Sequence, residues 1–233
     1  MTMIQTNLES VRARVTAACL AAGRDPGDVA VLAVSKTFNA QAVEDAYAAG
    51  QTAFGENYIQ EAVQKITQLR HLSDPPIQWH CIGPIQSNKT RLVAAHFDWV
   101  HTVDRLKVAQ RLSEQRPPGL PPLQVCIQVN VDDGDTKSGV RPEDALALAQ
   151  QVAALPNLRL RGIMSIPEPA PDFIASCALF ERVSVVFDAL NAAGLALDTL
   201  SIGMSADLEA AIHAGSTMVR VGTAIFGGRP RPA

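Results

Sequence analysis

The sequence predicts an α/β protein: a (β/α)8 TIM barrel with an extra N-terminal helix, organised as one domain over residues 1–233. Three observations predict it. Short runs rich in valine, isoleucine and leucine alternate with helical stretches through the chain. The runs are apolar at successive positions, as strands buried on both faces are. Each run gives way at its carboxyl end to a polar residue or a glycine. Alternation of this kind implies parallel strands with right-handed crossovers. Eight such units in about 200 residues match the barrel, and a doubly wound open sheet is the alternative.

The opening helix is expected over residues 6–22, where Val11, Val15, Ala18 and Ala22 recur at helical spacing and Gly23 stops it. The first strand is 29–34, short and valine-rich. A helix at 41–49 ends at Gly50 and leads to a short strand at 52–54, followed by Gly55, Glu56 and Asn57. A helix at 59–69 precedes the third strand, 78–82, which runs into Gly83-Pro84. A helix at 88–95, a strand at 99–102 and a helix opened by Asp104 and running to Glu114 come next. The proline-rich RPPGLPP (116–122) reads as a surface connection, because proline cannot sustain either element. The fifth strand, 123–131, is the clearest. Pro142, suited to a first helical turn, opens a helix to Ala154. A strand at 158–164, a long helix at 170–193, a strand at 199–202, a helix at 206–214 and a strand at 218–221 complete the order, with Thr223 beginning a closing turn. No linker, low-complexity tract or repeat beyond this rhythm interrupts it.

Composition narrows the function classes. Hydrophobic residues make up 47% of the chain, enough for a large core. The net charge is −3 and no lysine- or arginine-rich run appears, so nucleic acid is not an expected partner. No apolar run approaches the ~18 residues of a membrane span. The start MTMIQTNLES has no basic segment followed by an apolar one, so a secretory signal is not expected. Cys19, Cys81, Cys126 and Cys177 are far apart and form no CxxC pair, as expected of reduced thiols in a cytoplasmic protein. His71, His80, His96, His101 and His213 show neither HxxxH nor HExxH spacing, so no metal site is expected.

In a (β/α)8 barrel the site lies at the carboxyl ends of the strands. In order, these ends carry Lys36; Glu56 and Asn57; Gly83, Gln86, Ser87 and Asn88; Thr102 and Asp104; Asn130; Met164 and Ser165; Ser201, Gly203 and Ser205; and Arg220, Gly222 and Thr223. Contact with water explains some of this polarity. It explains less well a lysine and an arginine each set against an apolar run. IGMSADLEAA (202–211) and VRVGTAIFGG (219–228) each place glycine and a hydroxyl residue just before a helix. Free N–H groups and the dipole at a helix start favour an anion, and barrels of this type often hold phosphate after the seventh and eighth strands. Ordinary capping is the other reading of Ser205 and Thr223. Closure would bring the eighth strand beside the first, and so bring Arg220 and the phosphate groups beside Lys36. A phosphorylated aldehyde would meet all of them, and pyridoxal 5′-phosphate (PLP) is such a ligand. A Schiff-base aldolase acting on a phosphosugar would share this logic, but with its lysine on a later strand.

The segments VSKT (34–37), FGENYIQE (54–61), WHCIGPIQSNK (79–89), HTVDR (101–105), SGV (138–140), LRGIMSIP (160–167), LSIGMSADLEAAI (200–212) and VRVGTAIFG (219–227) closely resemble the pyridoxal phosphate homeostasis protein family, the YggS/PROSC type. The resemblance spans nearly the whole chain. It implies a fold similar to the alanine racemase N-terminal domain and a bound PLP. It also implies a role in intracellular PLP homeostasis by cofactor buffering and delivery, with PLP-dependent apoenzymes as partners. It assigns no catalytic residue. Carried over by position, Lys36 holds PLP as a Schiff base, Arg220 faces the pyridine nitrogen, and Ser205, Gly222 and Thr223 bind the phosphate. Asn57 and Met164 lie near the ring, and Ser201 assists at the phosphate. Family members often read SKTKP where this chain reads SKTFN, so Phe38 and Asn39 remove any second lysine beside the first. Lys137 reads as a solvated loop lysine near the mouth.

A weak amino-acid racemase is the alternative function. An arginine at the pyridine nitrogen disfavours its protonation and makes the ring a weaker electron sink. Racemisation also needs a base on each face of the substrate. Lys36 could serve one, but Tyr47 and Tyr58 lie on helical stretches with no motif that makes either a base. The residues after Arg229 are too few for a second domain, so an open mouth and a monomer are expected.

Overall fold

The computed structural model describes residues 2–132 and 138–228. Among them, eight parallel strands close into a barrel in chain order: β1 (Ala30–Val34), β2 (Ala53–Glu56), β3 (Gln78–Cys81), β4 (Trp99–Val103), β5 (Leu123–Gln128), β6 (Leu158–Met164), β7 (Thr199–Met204) and β8 (Met218–Val221). The helices outside are α1 (Met3–Ala21), α2 (Ala40–Ala48), α3 (Ile59–Gln68), α4 (Thr90–His96), α5 (Leu106–Gln115), α6 (Pro142–Ala153), α7 (Phe173–Ala192), α8 (Leu208–His213) and α9 (Thr223–Phe226). The barrel expected from the alternation is therefore present. Pairing of β1 with β8, in the register Leu32↔Arg220 and Ala33↔Val221, closes it and excludes an open sheet.

Two cores result. The larger lies between the strands and the helical layer and includes Ala33, Phe54, Val100, Val125 and Val219. A smaller one inside the barrel holds Trp99, Cys126 and Met164. Strand parity sends alternate side chains to these two cores, which is why the strands are apolar at successive positions. Gly162 on β6 approaches β7 so closely that an ideal Cβ would lie 1.6 Å from the Thr199 carbonyl oxygen, so only glycine fits.

The first helix begins earlier than the expected residue 6. The Thr2 hydroxyl accepts from Gln5 N–H and the Gln5 side chain accepts from Thr2 N–H, a reciprocal cap that starts α1 at Met3. Its buried stripe of Ile4, Leu8, Val11, Val15 and Cys19 packs among α8, α9 and α2. Asn7 donates to the Ile225 carbonyl at 3.0 Å, and Arg14 pairs with Glu209 and donates to the Ser205 carbonyl at 3.1 Å. The extra helix thus braces the turns after β7 and β8.

Other boundaries differ for local reasons. β5 stops at Gln128, and Asn130 lies past it, its N–H bonded to the Val140 carbonyl. α5 starts at Leu106 because Arg105 is extended (φ −157°), and Asp104 pairs with Arg105 instead of capping. α7 starts at Phe173, where the Asp172 carboxylate caps Ala175 N–H. α8 starts only at Leu208, because Asp207 accepts from Met204 N–H at 2.6 Å and holds 205–207 in a turn. Within RPPGLPP, Arg116 is buried and donates to the carbonyls of Ala94, Phe97 and Pro121. Among the described residues, no helix is long and apolar enough to cross a membrane, and no cluster of three or more His, Cys, Asp or Glu could hold a metal ion.

Candidate functional site

Lys36 lies in the turn that leaves β1, half-buried at the carboxyl rim of the barrel. Ser35 before it is fully buried, and its N–H donates to the Gly55 carbonyl at 3.0 Å. Thr37 after it has φ +68°, in the left-handed region that few non-glycine residues enter. β8 is hydrogen-bonded to β1 and carries Arg220, only 4% exposed. A guanidinium can sit there because its hydrogen bonds are fixed. Nη1 donates to the Ser201 carbonyl (2.6 Å) and hydroxyl (2.8 Å), and Nη2 donates to the Ser165 carbonyl (3.0 Å). Burial lowers its pKa to about 10, which leaves it cationic at neutral pH.

Behind Arg220 runs a polar chain across the barrel. Ser201 Oγ meets His101 Nδ1 at 3.0 Å, and His101 Nε2 meets His80 Nδ1 at 2.9 Å. The His80 ring stacks on Trp99 with centroids 5.1 Å apart. Burial pushes His80 down to about 3. His101 also falls well below the usual histidine range, through burial first and then its coupling to His80 and the Arg220 cation. Both rings are therefore neutral at pH 7. One proton order satisfies the chain: Arg220 donates to Ser201, Ser201 to His101, and His101 to His80. That order leaves His80 Nε2–H as a buried donor with no protein partner.

The turns after β7 and β8 complete the rim. Gly203, near the end of β7 where the chain enters the turn, has φ +91°, and an ideal Cβ there would lie 2.4 Å from Ala211 Cβ, so the entry to the turn requires glycine. Ser205 is half-buried in that turn, with its carbonyl held by Arg14. Gly222 and the exposed Thr223 open α9, where the first N–H groups have no acceptor within the helix.

Asn57 follows β2, and its Oδ1 is buried without a partner. It lines a rim cavity of about 290 Å³ together with Ile82, Thr102, Gln128 and Ile166. Met164 lies deeper, fully buried with Trp99 and Cys126. Ser201 is also fully buried, with its hydroxyl engaged by Arg220 and His101. Lys137 lies outside the described residues.

Lys36, Asn57, Ser205, Arg220, Gly222 and Thr223 thus share one rim, with Met164 and Ser201 beneath it. An amine, a fixed cation and helix-start N–H groups form a set suited to a flat anionic aldehyde. Sequence reasoning missed His80 and His101 as parts of this site. Their signal was parity: His80 stands two residues after Gln78, and His101 two after Trp99, so each shares a strand face with that residue.

The chain matches the family model "Alanine racemase, N-terminal domain" over residues 5–230. It is 59% identical to a pyridoxal phosphate homeostasis protein of Pseudomonas aeruginosa, covering 98% of this chain and 97% of that one. It is 52% identical to the protein of the same name from Escherichia coli K12, covering 98% of both. Its fold is similar to PipY of Synechococcus elongatus solved with PLP bound, with a TM-score of 0.83, 36% identity, and coverage of 96% of this chain and 100% of that one. On this agreement of motifs, fold and similarity along the whole chain, the protein belongs to the pyridoxal phosphate homeostasis protein family, built on the alanine racemase N-terminal domain.

Proposed function

We propose that this chain binds PLP at the barrel mouth through Lys36 and serves in intracellular PLP homeostasis, buffering and delivering the cofactor. The observation that carries the reading is the pairing of β1 with β8, which sets the Lys36 turn beside a buried, immobilised Arg220. The names of its relatives and the PLP-bound PipY structure support it.

The residues present fit the cofactor. Asn57 Oδ1 is a buried acceptor without a donor, such as a polar ring substituent would satisfy. Arg220 offers a cation to a ring nitrogen's lone pair. When bound, PLP supplies an aldehyde that an amine can capture and a ring that withdraws electrons.

The chain's own residues divide the work. Lys36 Nζ anchors the aldehyde carbon. Arg220, locked by Ser201 and Ser165, faces the ring nitrogen and disfavours its protonation, which suits storage more than chemistry at an amino-acid carbon. Ser205, Gly222 and Thr223 hold the phosphate. Asn57 and Met164 sit beside the ring, and Ser201, carried over as an aid at the phosphate, acts instead at the ring-nitrogen side through its grip on Arg220. The chain works as one domain and a monomer in the cytoplasm, with PLP-dependent apoenzymes as recipients.

Titration with PLP tests the reading. In the parent the absorption band of PLP shifts to longer wavelength as the imine forms, while in Lys36→Ala it stays that of the free aldehyde and only weaker binding through the phosphate groups remains. The same band shift and affinity in Lys36→Ala as in the parent would refute it.

A further inference from the structure

Lys36 stands between two residues that are each tied to a buried ion cluster. Lys65 on α3 is 4% exposed, and Glu56 at the end of β2 is 0% exposed. Lys65 Nζ donates to Glu56 Oε1 (2.6 Å), to the Ser35 carbonyl (2.9 Å) and to Glu61 Oε1 (3.1 Å). Those three acceptors use all three ammonium protons. The Ser35 hydroxyl donates to the same Glu56 oxygen at 2.6 Å, and Thr37 N–H donates to the same Glu61 oxygen at 2.9 Å. One lysine and two carboxylates therefore grip the residue before Lys36 at two points and the residue after it at one.

Stability alone is a poor reason for this arrangement. Removing charges from water costs several kcal/mol per ion, and well-packed apolar replacements of buried ion pairs are often as stable. The cluster also holds an unfavourable backbone: Thr37 at φ +68° lies in a region that disfavours a β-branched residue and persists only where its surroundings fix it. The Thr37–Glu61 bond is such a fixture.

We infer that Lys65, with Glu56 and Glu61, is a positioning residue for Lys36: the cluster fixes the peptide groups on both sides of Lys36, so that its side chain leaves the backbone in one direction. The inference rests on the reading that Lys36 captures the aldehyde of PLP. In that step Nζ forms a carbon–nitrogen bond, the aldehyde oxygen leaves as water, and nothing is oxidised or reduced. The outcome depends on how the amine is presented, and misplacing a reacting group by about 1 Å is costly. Lys65 itself is no rival, because its amine is held as a fully hydrogen-bonded ammonium without a lone pair.

Two variants test it. Glu61→Ala removes the Thr37 clamp at a side chain that is about 35% exposed, where folding is little threatened. Glu56→Gln combined with Lys65→Met removes the buried pair without stranding a charge. Each is compared with the parent by thermal melting, by affinity for PLP, and by affinity for pyridoxine 5′-phosphate, which has an alcohol in place of the aldehyde. Borohydride trapping with peptide mapping then locates the pyridoxyl group. The expected result is pyridoxine phosphate affinity within about twofold of the parent, PLP affinity lowered about tenfold or more, and label spread to other lysines. Parent-like PLP affinity with label confined to Lys36 would overturn the inference. So would an equal fall in both affinities, which would mark the cluster as structural support only. No label on Lys36 in the parent would overturn the reading beneath it, and the inference with it.

Discussion

The neutral histidine pair inside the barrel makes acid sensitivity a quantitative prediction. The perturbation is a fall from pH 7 to about pH 4.5, in the parent and in His80→Asn. His80 has a pKa of about 3 in the folded chain, lowered by burial, against ~6.5 in an unfolded chain. The unfolded state therefore takes up the proton first. Stability from this site is complete above the unfolded pKa and is lost as pH falls through the window from ~6.5 to ~3. At about pH 4.5 the loss spans roughly two units, on the order of 2–3 kcal/mol from His80. His101, lowered by the same burial, adds a loss of the same sign. Urea midpoints measured at both pH values provide the assay. Asparagine keeps an amide near the position of Nδ1 to meet His101 but cannot be protonated. His80→Asn should be less stable than the parent at pH 7, because the stack on Trp99 is lost. Its loss between the two pH values should be smaller than the parent's by roughly 2–3 kcal/mol. The carboxylates are common to both proteins and cancel. An acid-induced loss equal to the parent's would refute a neutral, buried His80.

Three further outcomes follow from the geometry. Ser201→Ala removes the hydroxyl shared by Arg220 and His101; it should cost roughly 1–3 kcal/mol in thermal unfolding and shift the visible spectrum of bound PLP, and no change in either would contradict the anchoring role. Gly203→Ala forces a Cβ to 2.4 Å from Ala211 Cβ at φ +91°; pyridoxine phosphate affinity should fall about tenfold, and parent-like affinity would separate this turn from the phosphate. Gly162→Ala drives a Cβ to 1.6 Å from the Thr199 carbonyl between two paired strands; the melting temperature should fall by the equivalent of about 3 kcal/mol or more, and a melt unchanged within error would contradict the tight β6–β7 approach.

The fold was legible because each strand body is apolar and each strand end is not. β6 and β8 have the bounds read from their hydrophobic runs, 158–164 and 218–221. The two leading candidate residues stood out for the same reason: Lys36 and Arg220 are charges set against apolar runs. What depends on register was not. The chain from Arg220 through Ser201 and His101 to His80 joins β8, β7, β4 and β3, and only closure of the barrel brings these side chains together. Lys65 was overlooked because a helical lysine is usually solvated, yet Ile59, Ala62, Lys65 and Ile66 share the buried face of α3. The starts of α5 and α8 were misplaced because Asp104 does not cap its helix, and because Asp207, two residues past Ser205, organises the turn.

The central claim is that Lys36 is the covalent anchor for PLP at this barrel's mouth. Borohydride reduction of the PLP-loaded protein, followed by peptide mass mapping, tests it directly. The account predicts a single pyridoxyl group, on the peptide that carries Lys36. Bound PLP with the label on another residue, or with no label, would contradict it.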